Sequence, residues 1–141
     1  MKNILILFTI LLIPALLYAE NGSELWLRYK TLPDSVSRKY THQLQYIALN
    51  LNSPTRKIVK SELDQAFAGL LGSKLTEARK IQKNTLIICT FEYKWVKELI
   101  SGDTARLCGE EGFLLKSLKV KDGRILILAA KQDAGLLYGT F

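Results

Sequence analysis

Near the C-terminal end of the chain, two apolar-rich runs, residues 112–120 (GFLLKSLKV) and 124–130 (RILILAA), flank Lys121, Asp122 and Gly123. Asp-Gly between two such runs is a strong hairpin signal, because both residues tolerate the backbone angles of a tight turn. Two antiparallel strands are therefore expected here. A lone hairpin is marginal in water, so the rest of the chain must supply elements that pack on it.

Residues 23–32 (SELWLRYKTL) alternate Leu25, Leu27 and Tyr29 against Trp26, Arg28 and Lys30, which is strand periodicity. The polar stretch PDSVSRKYTHQ at 33–43 reads as a loop. Residues 45–51 (QYIALNL) read as a second strand. Ser53 and Pro54 then predict a helix start, with a capping hydroxyl and Pro at the first helical position. Val59, Leu63, Ala66, Phe67 and Leu70 fall on one helical face to about Leu71, and Gly72 is expected to end the helix. Residues 85–90 (TLIICT) are short, apolar and β-branched, as in a strand buried on both faces. Residues 92–100 (EYKWVKELI) predict another helix with Trp95 and Leu99 on one face, broken by Ser101, Gly102 and Asp103.

The chain closes on DAGLLYGTF, residues 133–141. Asp133 is a suitable N-cap, and Ala134, Leu137, Tyr138 and Phe141 recur at helical spacing. Leu137, Tyr138 and Phe141 are expected to be exposed, and the charged or Gly/Pro stop of a helix C-terminus is missing, so this last helix reads as incomplete. Mixed strands and helices with at least one hairpin define an α/β fold in the loose, α+β sense: a mixed sheet with helices packed on it.

Export is expected. Met1, Lys2 and Asn3 are followed by an almost unbroken apolar run at 4–17 and a small-residue site ending at Ala19, the order of a secretory signal peptide. The run is interrupted by Pro14 and falls short of the roughly 20 residues of a membrane span. Residues 20–141 would then form one domain in the periplasm or the medium, with no stable membrane span. The net charge of +7 is scattered rather than gathered into a stripe, and no zinc finger, helix-turn-helix or aromatic–basic alternation points to nucleic acid. Cys89 and Cys108 allow a disulfide in an oxidising compartment without requiring one. A single histidine, His42, and no Cys-x-x-Cys pair argue against a metal site.

No self-contained active site is visible, and no catalytic, cofactor-binding or metal-binding residue is assigned. Glu110 and Glu111 in CGEEGF are the only paired carboxylates of note, but neighbours in sequence do not face one reacting bond. His42 has no Ser/Asp set around it, and neither a Gly-x-Ser-x-Gly elbow nor a phosphate loop occurs. The GLLGSK at 69–74 sits at a helix end and reads as a cap. Trp26 and Trp95 could stack on sugars, although single tryptophans in such settings more often fill cores.

Three stretches together resemble the opening of the α-glucuronidases of glycoside hydrolase family 67: ELWLRYK, the helix SPTRKIVKSELDQAFAGLLG, and GEEGFLLKSLKVKDGRILILAAKQDAGLLYGTF. The last block, in looser form, also resembles the N-terminal domains of family 20 hexosaminidases. The Leu-Trp-Leu-Arg-Tyr opening favours α-glucuronidase. TFEYKWVKELISGDT departs from the smaller, Ala/Pro-richer stretch usual there. The resemblance implies a small mixed α/β domain preceding a (β/α)₈ barrel and a helical C-terminal domain. Such enzymes remove 4-O-methyl-glucuronic acid from the end of xylo-oligosaccharides with inversion. Their acid and base lie on the barrel, so no catalytic residue transfers to this sequence.

The leading expectation is a non-catalytic N-terminal domain of an exported α-glucuronidase, inactive by itself, with the catalytic barrel as partner. Glucuronoxylan-derived oligosaccharides would be met through the whole enzyme. The alternative is a stand-alone secreted carbohydrate-binding or interaction module presenting Trp26, Trp95 or tyrosines. A small enzyme using Glu110 and Glu111 is the third.

Overall fold

A computed structural model describes residues 29–141. The signal peptide expected at 1–19, Trp26 and most of the strand expected at 23–32 lie outside the described residues. Residues 29–33 are irregular, and Leu32 N–H donates to Leu70 O at 2.9 Å.

The described chain forms α1 (Asp34–Gln43), β1 (Tyr46–Asn50), α2 (Thr55–Leu71), β2 (Thr76–Glu77) and β3 (Thr85–Thr90). These are followed by α3 (Lys94–Lys97), α4 (Gly102–Leu107), β4 (Phe113–Val120), β5 (Gly123–Ala130) and α5 (Asp133–Tyr138). The five strands make one mixed sheet in the order β2-β1-β3-β5-β4. The β2–β1, β1–β3 and β3–β5 pairs are parallel, and the β5–β4 hairpin is antiparallel. This is the α/β architecture expected from the sequence.

β3 lies at the centre and is buried along both faces, so its residues are apolar without alternation. Its side chains divide between two cores. Leu86 and Ile88 join Ile47, Leu49 and Leu128 beneath Val59 and Leu63 of α2 and Leu136 of α5. Ile87 and Cys89 join Ala48, Ile125 and Ile127 on the opposite face, covered by Phe91, Val96 and Ile100. Full burial of each large aliphatic contributes about 1.5–3 kcal/mol. The two clusters rather than any helix propensity therefore hold the layers together.

α2 follows its periodicity, and Gly72 closes it at φ 71°, the left-handed region where a side chain would be strained. Its start differs from expectation. Pro54 stands at the cap with already helical angles, and the Ser53 hydroxyl finds no partner among the described residues. The Ser53 carbonyl serves instead, accepting from Arg56 N–H at 3.1 Å.

Three other expectations are corrected. Residues 34–43 are helical, not a loop. This helix buries no side chain, so hydrophobic periodicity could not announce it, and it is tied down by Ser37 Oγ donating to Leu71 O at 3.2 Å. The helix expected over 92–100 is a single short turn, α3, which buries Val96, with Ile100 buried beyond it; Leu99 is exposed. Ser101 does not merely break that helix but caps the next, its Oγ accepting from Thr104 N–H at 3.3 Å.

In α5 the cap is Gln132, with Asp133 in the first turn, where its charge complements the helix dipole. Gly135 and Leu136 are buried and Leu137 is half-buried against the first core, whereas Tyr138 and Phe141 are exposed. Leu137 thus departs from the expected exposure. The Asp-x-Gly spacing has a packing reason: a Cβ on Gly135 would come within 2.5 Å of Gly112 O.

Candidate functional site

A cleft of about 840 Å³ opens where β1, β2 and β3 end. The chain leaves β1 for β2 on one side and then steps across to β3 on the other. Their connections therefore diverge at the carboxyl ends of three parallel strands, which is where open α/β sheets form ligand crevices. Asn50 comes from the end of β1, Glu77, Arg79 and Lys80 from β2 and the segment after it, and Tyr93 and Trp95 from the segment after β3. Tyr93 and Trp95 are half-buried and also pack against the second core.

Charge in this cleft is unevenly matched. Glu77 is paired with Arg56, whose guanidinium also donates to Leu49 O, so that pair forms a neutral, anchored wall. Arg79 and Lys80 are exposed, and no carboxylate among the described residues pairs with either.

The paired carboxylates lie elsewhere. Glu110 accepts from Lys131 and from Gln132 beyond β5, and the Lys131 hydrogen bond holds its carboxyl below the ordinary range. It lines a smaller hollow of about 400 Å³ with Phe91, Glu92, Arg106 and Lys131. Glu110 is already matched by a cation in the open, and Glu111 does not line this hollow. The pair thus lacks the two carboxylates across a gap that glycoside hydrolysis uses.

His42 is exposed, and it is its backbone carbonyl that is engaged, by Asn84 Nδ2 at 3.0 Å. Cys89 belongs to the second core and Cys108 packs against that core, but both are free, and burial pushes the Cys89 thiol up to about 12. The remaining notable surface is apolar. Phe113 and Leu115 project from edge strand β4 on the face that carries α5, and both are exposed, as are Tyr138 and Phe141 at the end of the chain. A Cβ on Gly139 would lie 2.8 Å from the Phe113 ring, so the strand and the end of the helix are in direct contact.

The family model for the glycosyl hydrolase family 67 N-terminus matches residues 25–141. The chain belongs to that family. No curated protein matches it. In this family 67 domain the match runs from the segment before α1 through the whole sheet to α5, so the hairpin and the closing helix belong to one unit. Among the described residues, no helix is long and apolar enough to cross a membrane.

Of the residues singled out in the sequence, Trp95 and, among the tyrosines, Tyr93 reach the cleft at the ends of β1, β2 and β3; Trp26 lies outside the described residues. Asn50, Arg79 and Lys80 carry no site signal in the sequence. Arg79 and Lys80 were part of a scattered charge pattern, and their placement depends on β2, a two-residue strand with both residues exposed. Such a strand leaves no periodic signal; only its pairing to β1 reveals it.

Proposed function

We propose that this chain is the non-catalytic N-terminal domain of an exported α-glucuronidase. Such an enzyme would release 4-O-methyl-glucuronic acid from xylo-oligosaccharides derived from glucuronoxylan. Residues 1–19 would direct export to the periplasm or medium, and residues 20–141 would form the domain. The observation that carries this reading is the family match over residues 25–141. The arrangement of Glu110 supports inactivity in isolation, because its carboxylate is engaged by Lys131 and Gln132. The domain's task is to pack on the catalytic barrel and buttress its substrate cleft. The exposed apolar side chains of Phe113, Leu115, Tyr138 and Phe141 supply surface suited to that packing.

The test has two parts. The chain alone should release no uronic acid from 4-O-methyl-glucuronosyl xylo-oligosaccharides, and the reading frame past the Phe141 codon should encode a barrel bearing the acid and base. Release by the chain, lost in Glu111→Gln, would overturn the reading.

A second reading, a stand-alone secreted carbohydrate-binding or interaction module, is favoured by the aromatic lining at Tyr93 and Trp95. A stop codon after Phe141 together with saturable sugar binding would select it.

A further inference from the structure

We propose that the cleft at the ends of β1, β2 and β3 binds an anionic pyranose, a sugar ring bearing a carboxylate. Its position is the topological switch point of the sheet, where the chain leaving β1 runs to one side, towards β2, the chain leaving β3 runs to the other, towards β4, and a crevice opens between them. Its lining divides into two chemistries on one wall each. Tyr93 and Trp95 offer aromatic surface on which the C–H face of a pyranose stacks. Arg79 and Lys80 offer two cations, and the guanidinium fork of Arg79 matches a carboxylate by two parallel hydrogen bonds. Asn50 adds an amide that can donate to and accept from ring hydroxyls.

The one acid in the lining does not cancel this field. Glu77 is neutralised by Arg56, and Arg56 is held in place by Leu49 O. The cleft is therefore a cationic site beside aromatic surface, not a mixed-charge one. A phosphate would share the two cations, but no glycine-rich loop in the sequence adds the cradle of backbone N–H groups that phosphate sites use. A carboxylate on a pyranose ring uses what is present. The site is complete within this domain, so the proposal does not depend on a barrel.

The test is a titration of the full chain followed by the Trp95 indole N–H resonance, assigned by its loss in Trp95→Phe. The probes are D-glucuronate, D-glucose and glucose 6-phosphate. D-glucuronate should saturate with a dissociation constant on the order of 1 mM, as befits a monosaccharide on an open cleft. Glucose, which lacks only the carboxylate, should bind at least about tenfold more weakly. The Arg79→Gln, Lys80→Gln double variant should weaken glucuronate binding about tenfold with an unchanged thermal midpoint, because both side chains are exposed. The proposal is overturned by an unsaturable response to glucuronate, by equal binding of glucose, or by full affinity in the double variant. Glucose 6-phosphate binding as tightly as glucuronate would also overturn it, leaving a general anion patch. None of these outcomes touches the α-glucuronidase reading, which is decided by the reading frame and the activity assay.

Discussion

A methyl group on Gly123 would lie 2.6 Å from Oδ1 of Asn84. Asn84 is buried at φ 61° and joins three elements at the end of the sheet. Its N–H donates to Arg124 O at 2.6 Å, and its side chain accepts from Arg124 N–H and donates to His42 O. Its carbonyl accepts from Gln45 and Tyr46 N–H at 2.8 and 3.0 Å. The Asp-Gly signal therefore has a divided cause. Asp122 takes the positive φ of the turn, at 60°, while Gly123 is required because a neighbour occupies the space of its side chain.

Gly123→Ala should destabilise the domain by about 1–3 kcal/mol, the usual range for overpacking a filled site. Urea unfolding measures it. In an Asn84→Gly background, which removes the obstructing atom, the same substitution should cost much less. Strictly additive losses would show that the contact does not cause the effect.

Cys89 is buried, and desolvation alone raises its thiol from an ordinary 9.0 to about 12. The folded value is the higher one, so the stabilisation is present in full below pH 9.0 and is lost as pH rises from 9.0 towards 12. Stability of Cys89→Ala should depend less steeply on pH across that window. At neutral pH a thiol reagent should label Cys108 in the native protein and reach Cys89 only after unfolding. Rapid native labelling of both would contradict the burial.

Glu110 is held below its ordinary 4.5, chiefly by its hydrogen bond from Lys131. A depressed folded value means a stabilisation present above pH 4.5 and lost as pH falls through that lower value. Because the pair is open to solvent, Glu110→Gln should leave the thermal midpoint at pH 7 unchanged within error. Carboxyl NMR titration should place Glu110 below 4.5 and return it towards 4.5 in Lys131→Ala.

Leu115 is 57% exposed on the edge strand, next to Phe113 at 45%. An uncovered apolar edge favours association of chains, and charge on an edge strand opposes it. Leu115→Lys should raise the concentration at which the chain self-associates in sedimentation, with little change in urea midpoint. Unchanged association would place the sticky surface elsewhere.

Local signals announced the elements that satisfy their own needs. The 85–90 strand is apolar because both faces are covered, and α2 carries a continuous apolar stripe with Gly72 at its end. The hairpin is announced by its turn and its two strands. α1 failed this test because it buries nothing: only Val36 and Tyr40 mark a face among its polar residues, both are exposed, and it is tied to α2 by Ser37. α3 and α4 were misdivided because Ser101 serves as a cap, a role that depends on where the chain turns after Ile100.

The sequence by itself determined the family, the mixed α/β class and the central strand, since each rests on residue patterns that are local or follow one another along the chain. The cleft was decided only by tertiary structure. Asn50, Arg79 and Trp95 are brought to one crevice because β1 pairs in parallel with β2 on one side and β3 on the other. Parallel pairing is made through hydrogen bonds between residues far apart in the chain. No local periodicity encodes it, so the meeting of these side chains is a property of the sheet rather than of any segment.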